Sequence, residues 1–466
     1  MKKKIISALL CVSMVATMVA GCGGSSDTIS ADNSNSGVAA TATESGSDAA
    51  ETDTTGDEGK VFNIYCWNEE FKSRLTDHYP GYEEVDATTG KIGDVTVKWN
   101  ITPSDDNAYQ NNLDATLLKQ ESAAADDKID LFLVEADYAL KYVDTDYTMP
   151  IADLGITDAD LANQYQYTKD IVTDSNGVLK GVSWQGCPGV LFYNRDAAKE
   201  VLGTDDPAKV QEYVKDWDTF LDTAETMKQA GYKMLSGPSD AKKPIIDQRT
   251  SAWVENDTVN IDPVITEYLE FAKKLYDGEY TNNNAQWSDG WNTDFTADVF
   301  GYFGCTWFTY WSINDKEGSE TYGKRNMCQG PTTYHWGGTY LGVTDQCPNK
   351  ELAALVLYTL CCDTDTMYKL SDETLDFVNN KAAVEKLIAD GKGESPVLGG
   401  ANPLQTWADN AEKINLQYAT EYDSTFNGYL DNASEAYNSG ELKTVDDAVA
   451  KIKELIKDGY QNLTVE

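Results

Sequence analysis

From residue 61 onward, short β-branched and aromatic runs alternate with segments whose apolar residues recur at helical spacing. No other feature of the chain constrains its fold as tightly. Residues 61–67 (VFNIYCW) read as a first strand and 71–79 (FKSRLTDHY) as the helix that follows. Residues 95–101 (VTVKWNI) alternate as a second strand, 108–122 (AYQNNLDATLLKQES) carry helical spacing, and 129–134 (IDLFLV) form a third strand. Strand, helix, strand, helix, strand at these lengths implies crossover connections, so the class is α/β, with a mostly parallel sheet covered by helices. At 466 residues the chain exceeds one ordinary core, and two lobes are expected. Ligands of open α/β sheets sit outside the carboxyl ends of the strands. That rule puts Trp67, Asn68 and Glu69, after the first strand, and Glu135 and Asp137, after the third, on the functional edge.

The first sixty residues do not belong to this pattern. Lys2, Lys3 and Lys4 precede a mostly apolar run over 5–19, the layout of a secretory signal, too short and too soon polar to span a bilayer. The run ends Val19-Ala20-Gly21-Cys22, which resembles a bacterial lipobox and implies cleavage after residue 21 and lipidation of Cys22. Residues 23–60 are Gly, Ser, Thr, Asp and Ala-rich, with Ile29 and Val38 the only large apolar side chains. Such a segment cannot bury enough to fold, and as a flexible tether it reaches roughly 35 Å. Residues 1–21 are therefore expected to be a signal peptide and 22–60 a lipidated Cys with its tether. The protein would stand at the outer face of a bacterial cell membrane, held by lipid alone.

Charge and rare residue types exclude several chemistries. Taking Lys2, Lys3 and Lys4 from the 37 basic residues leaves 34 against 77 acidic ones, a net charge of −43. Nucleic acid binding needs clustered Lys and Arg and is excluded. Anionic ligands are disfavoured by the long-range field, although a local Arg would override it. Of nine Cys, seven remain after Cys11 is cleaved away and Cys22 is lipidated; no CxxC or zinc spacing occurs among them. Buried free thiols are the expectation, and a Cys305–Cys328 disulfide cannot be read from spacing. With only His78 and His335, a His-based metal site or a Ser-His-Asp triad is hard to assemble. No metal, no cofactor and a monomer are expected.

Ten of the 25 residues from Trp287 to Trp311 are aromatic, against 11% of the chain, and Tyr334-His335-Trp336-Gly337-Gly338-Thr339-Tyr340 follows soon after. Flat rings with polar edges beside Asp, Asn and Gln suit a sugar, whose rings have the same split character. The same rings would equally fill a core.

Further motifs carry a resemblance. GVSWQGCPGVLFYNRDAAKEVLG at 181–203 is followed by WDTFLDTAETMKQAGY at 217–232. FGCTWF stands at 303–308, WGGTYLGVTDQCPNKELAALVLYTL at 336–360 and TVDDAVAKIKELI at 444–456. In this order they resemble the family 1 extracellular solute-binding proteins of ABC importers, the maltose-binding-like group. The resemblance covers nearly the whole chain after Lys60, although this sequence is richer in Trp and Tyr than the maltose-binding type. It implies a two-lobed binding-protein fold with the ligand cleft between the lobes. Lobe one would comprise 61–186 plus 340–398 and lobe two 188–335 plus 400–466, with crossings near 186–189, 337–338 and 399–400. It implies the binding component of a carbohydrate ABC importer, not an enzyme, that delivers an oligosaccharide to permease subunits. Trp307 and Trp336 fall at its sugar-stacking positions. Trp67, Trp184 and Trp291 complete the candidate platforms, with Trp287 and Trp253 as further candidates. Asn68, Glu69, Asp137 and Gln185 would hydrogen-bond hydroxyls. Trp99 and Trp217 read as core.

Two other readings compete. A polyamine or quaternary amine would suit acidic residues around an aromatic box through cation–π attraction. A glycosidase would use paired carboxylates such as Glu69-Glu70 or Glu135/Asp137.

Overall fold

The computed structural model describes residues 59–313 and 317–466. The signal peptide, Cys22 and the tether as far as residue 58 lie outside the described residues. Gly59 is already buried, against Pro348 and Asn349, so the globular unit takes in the last two residues assigned to the tether.

The structure is a two-lobed α/β architecture with two main sheets. β1 (Val61–Cys66) lies between β4 (Val95–Ile101) and β5 (Leu131–Glu135) and is parallel to both. β11 (Thr339–Val343) adds antiparallel outside β5. A hairpin of β2 (Tyr82–Asp86) and β3 (Thr89–Ile92) extends the other edge. The order is β11-β5-β1-β4-β3-β2. Leu131 to Val134 are all buried, as expected for a strand covered on both faces. The hairpin escaped the sequence reading because its strands show no apolar alternation; four of the five β2 residues are exposed.

The second sheet has the order β10-β6-β9, from β6 (Val190–Asn194), β9 (Gly301–Gly304) and β10 (Arg325–Cys328). Both of its pairings are antiparallel, whereas the sequence reading expected mostly parallel sheets. Periodicity reports burial, not direction, so a short apolar run carries no sign of which way its neighbour runs. A two-stranded ribbon, β7 (Val254–Glu255) with β8 (Thr258–Val259), lies apart from both sheets.

Local chemistry sets several boundaries. The helix Trp217–Gln229 opens with a capping box of Asp216 and Thr219, and Val445–Gly459 with one of Thr444 and Asp447. The helix expected over 108–122 stops at Leu117, and the strand expected from 129 begins at Leu131. One side chain accounts for the later start of the strand. The buried Gln120 amide donates to the Ile129 carbonyl at 2.7 Å and accepts the Ile129 N–H at 3.0 Å, removing Ile129 from the ladder. Among the described residues all seven cysteines are free and buried, and no helix is long and apolar enough to cross a membrane.

Between the sheets, neighbouring segments are tied by single bridges: Val182 with Leu341, Gln185 with Val378, and Pro188 with His335. Gly337 and Gly338 sit here at φ +70° and +99°. A Cβ on Gly337 would come within 3.1 Å of both Glu135 Oε1 and Trp307 Nε1, so glycine lets three segments meet.

Candidate functional site

The end of β5 begins the site. Glu135 Oε2 accepts the Asp137 N–H at 2.8 Å, capping the turn that follows. This leaves the half-exposed Asp137 to reach across to Lys243, with Oδ1 and Nζ 3.1 Å apart. Lys243 belongs to the helix Lys242–Ile246, whose other lysine pairs with Asp431 at 2.6 Å. Arg249, just beyond, pairs with Asp423 at 2.5 Å. A cavity of about 240 Å³ lies among these groups, closed by Trp287, Trp336 and the face of the helix Asp423–Asn438 that carries Asn427.

Trp287 is the ring this cavity exposes. It is 49% exposed and its backbone stands at φ +69°, a conformation bulky residues rarely adopt. Neither burial nor backbone preference explains an aromatic ring held there; such strain collects at binding sites. Trp307 stacks on it at 5.8 Å and 26°, Trp336 meets it edge-on at 5.8 Å, and Trp291 packs behind it at 4.8 Å. Trp291 is itself fully buried, its indole N–H given to Asp240 at 2.7 Å. Four tryptophans thus form one block with a single half-open face.

Set against the sequence candidates, Asp137 and Trp336 line the cavity and Trp307 reaches it through Trp287. Trp291 supports the block without presenting a face. Trp184, expected as a platform, is instead fully buried against Phe71 at 5.4 Å, because the irregular segment that carries it runs inside the molecule. Gln185, next to it, is buried and spends its amide on Glu70 at 2.7 Å and on the Thr339 N–H at 3.1 Å. Trp67, Asn68 and Glu69 lie outside the lining; Trp67 packs edge-on against Tyr109 at 5.5 Å, and Asn68 accepts the Glu70 N–H. Trp253 is buried behind the wall, its N–H 3.3 Å from Asn427 Oδ1. The sequence reading passed over Lys242, Lys243 and Arg249. Their one signal is the run Lys242-Lys243 with Arg249 close behind, in a chain short of basic residues.

Burial perturbs the carboxyls beneath the site. It pushes Glu70 up to about 7, helped by Asp376 and opposed by Arg74. Glu135 rises to about 8 through burial and then Asp137, and Asp240 to about 7 through burial. Lys243 instead holds Asp137 below its usual range. The same burial, with Lys243 beside it, drops His335 to about 3, so its imidazole stays neutral. A raised folded-state carboxyl binds more protons in the native than in the unfolded chain from about pH 4.5 to 7, and stability falls as pH rises through that window. Glu70→Gln keeps the hydrogen-bonding shape and removes the titration. The loss of stability between pH 5 and 8, read from denaturant midpoints, should shrink by on the order of 1–3 kcal/mol. An unchanged pH profile would mean that Glu70 is already ionised in the native state.

Residues 84–389 match the model of the bacterial extracellular solute-binding protein family. No curated protein sequence matches the chain. An extracellular solute-binding protein of family 1 superposes with a TM-score of 0.70 at 16% identity, over 86% of this chain and 99% of that one. The sugar-binding protein MalE of Xanthomonas citri does so at 0.65 and 14%, over 86% and 97%. The ABC transporter associated binding protein of B. animalis subsp. lactis Bl-04, in complex with β-1,6-galactobiose, gives 0.63 and 17%, over 87% and 99%. At these identities the likeness is one of fold. With the family match spanning most of the globular chain, this protein belongs to the bacterial extracellular solute-binding proteins.

Proposed function

We propose that the chain is the lipid-anchored binding component of a carbohydrate ABC importer, closing two lobes over an oligosaccharide and passing it to the permease without chemistry. The observation that carries this reading is the half-open tryptophan block beside a cavity lined by polar and charged groups. Stacking supplies affinity, and hydrogen bonds orient the ligand. Neighbours of the same fold that hold sugars support it, among them the β-1,6-galactobiose complex. The lobes are taken as 61–186 plus 340–398 and 188–335 plus 400–466. In support, β1, β4, β5 and β11 of the larger sheet fall in the first, and β6, β9 and β10 in the second. On this division the Asp137–Lys243 ion pair crosses the cleft.

Against the polyamine alternative, three acidic side chains lining the cavity, Asp137, Asp431 and Asp423, are already paired with Lys243, Lys242 and Arg249, and a polycation would have to displace those partners. A glycosidase would need its two carboxyls on either side of the scissile bond. Glu135 and Asp137 instead share one turn, joined by the bond from the Asp137 N–H to Glu135 Oε2. Titration calorimetry of neutral oligosaccharides and of spermidine tests the reading: heats from a sugar and none from spermidine are expected. Binding of spermidine alone would reverse the assignment. For the anchor, Cys22→Ser should release the protein into the medium with its sugar affinity intact; retention of the variant in the membrane fraction would remove the lipid from the account.

A further inference from the structure

Arg249 stands in the wall between two cavities. The 240 Å³ cavity of the candidate site and a second of about 260 Å³ share Asp247 and Arg249 as lining. The second is otherwise mostly polar, with Gln248, Thr333, Asn415 and Gln417 beside two tyrosines, Tyr334 and Tyr418, and Ile414. Amides and hydroxyls beside a flat ring repeat the chemistry of the first cavity.

The wall residue is under-used where it stands. Arg249 is only 8% exposed; its Nη2 donates to Asp423 at 2.5 Å, while Nε and Nη1 have no hydrogen-bond partner. A buried donor without an acceptor pays its full desolvation cost, and a guanidinium more than a neutral group. Asp247, which accepts the His335 N–H at 2.9 Å and lies 4.0 Å from Lys243, makes no hydrogen bond to Nε or Nη1. The two unpartnered nitrogens are themselves buried, on a side chain that lines both cavities and is tethered at one nitrogen only.

We propose that the two cavities are successive subsites of one groove. The second holds further glycosyl units of a neutral saccharide whose first units lie on Trp287. A turn of the guanidinium about its bond to Asp423 brings Nε and Nη1 to ligand oxygens at the junction. This rests on the saccharide reading above and adds chain length to it: the ligand is longer than the first cavity alone holds.

The test is titration calorimetry with β-1,6-galacto-, β-1,4-xylo- and β-1,4-gluco-oligosaccharides from two to six rings. In the series that binds, affinity should climb roughly tenfold or more between the shortest binder and the longer ones. Tyr418→Ala should abolish that gain and leave the shortest ligand's affinity as it was. Arg249→Lys keeps the charge opposite Asp423 but loses the planar donors, and should cost the longer ligands more than the shortest; unchanged melting curves would show both variants folded. Affinity flat with length, or Tyr418→Ala weakening short and long ligands alike, would overturn the second subsite while leaving sugar binding intact. No binding of any saccharide at any length would overturn both.

Discussion

Trp287→Ala is expected to weaken ligand binding by about 1–3 kcal/mol, roughly 5-fold to 150-fold, the scale of a stacked ring or an interface hot spot. Its ring is the one open face of the tryptophan block, and half of it is already in water. Folding therefore loses little with it: the apo protein should give up less than about 2 kcal/mol, because only one side of the ring is buried, against Trp291, Trp307, Trp336 and Phe308. Trp287→Phe should keep part of the affinity, since a smaller flat face remains. The companion positions behave differently. Trp336 is 7% exposed, so Trp336→Ala should lower both affinity and melting temperature, and Trp307, half-buried, should fall between. Calorimetric affinity paired with apo melting separates these outcomes. Full affinity in Trp287→Ala would remove stacking from the proposed mechanism, whatever the ligand.

Trp184→Ala should do the opposite. This ring has no exposed surface, packs on Phe71, and gives its N–H to Asp376 Oδ2 at 3.3 Å. Deleting it leaves a cavity and removes one of the donors to Asp376, and a Trp→Ala change in a core costs roughly 3–5 kcal/mol. Asp376 also takes both nitrogens of the Arg74 fork, at 2.8 and 3.1 Å, and the Tyr310 hydroxyl at 3.3 Å. The damage should therefore spread to the network that joins the helix Glu70–His78 to Tyr310. Urea unfolding of the apo protein measures it. A loss below about 1 kcal/mol would mean that the segment carrying Trp184 is less tightly held than its burial indicates.

The strands β1, β4 and β5 could be read directly from the sequence, because hydrophobic periodicity is a local signal, whereas the mostly exposed β2–β3 hairpin between them carries no such signal. Val95–Ile101 was placed to the residue. The exceptions were decided at a distance: Gln120 claimed the backbone of Ile129, and β9 and β10 chose antiparallel partners that no local pattern encodes. The site divides in the same way. Composition pointed to the aromatic stretch, and the rule on strand ends pointed to Asp137, which lines the cavity. Trp184 and Trp287 look alike in sequence, each a tryptophan in a polar, glycine-bearing stretch, yet one is sealed in the core and the other half in water. Which face of an aromatic meets solvent depends on what packs over it, and that is set by chain segments far away. Asp137 and Lys243 pair across 106 residues, and Arg249 and Asp423 across 174. Charges this far apart in the chain acquire a function only when tertiary folding brings them within a few ångströms, where a Coulomb interaction outweighs screening.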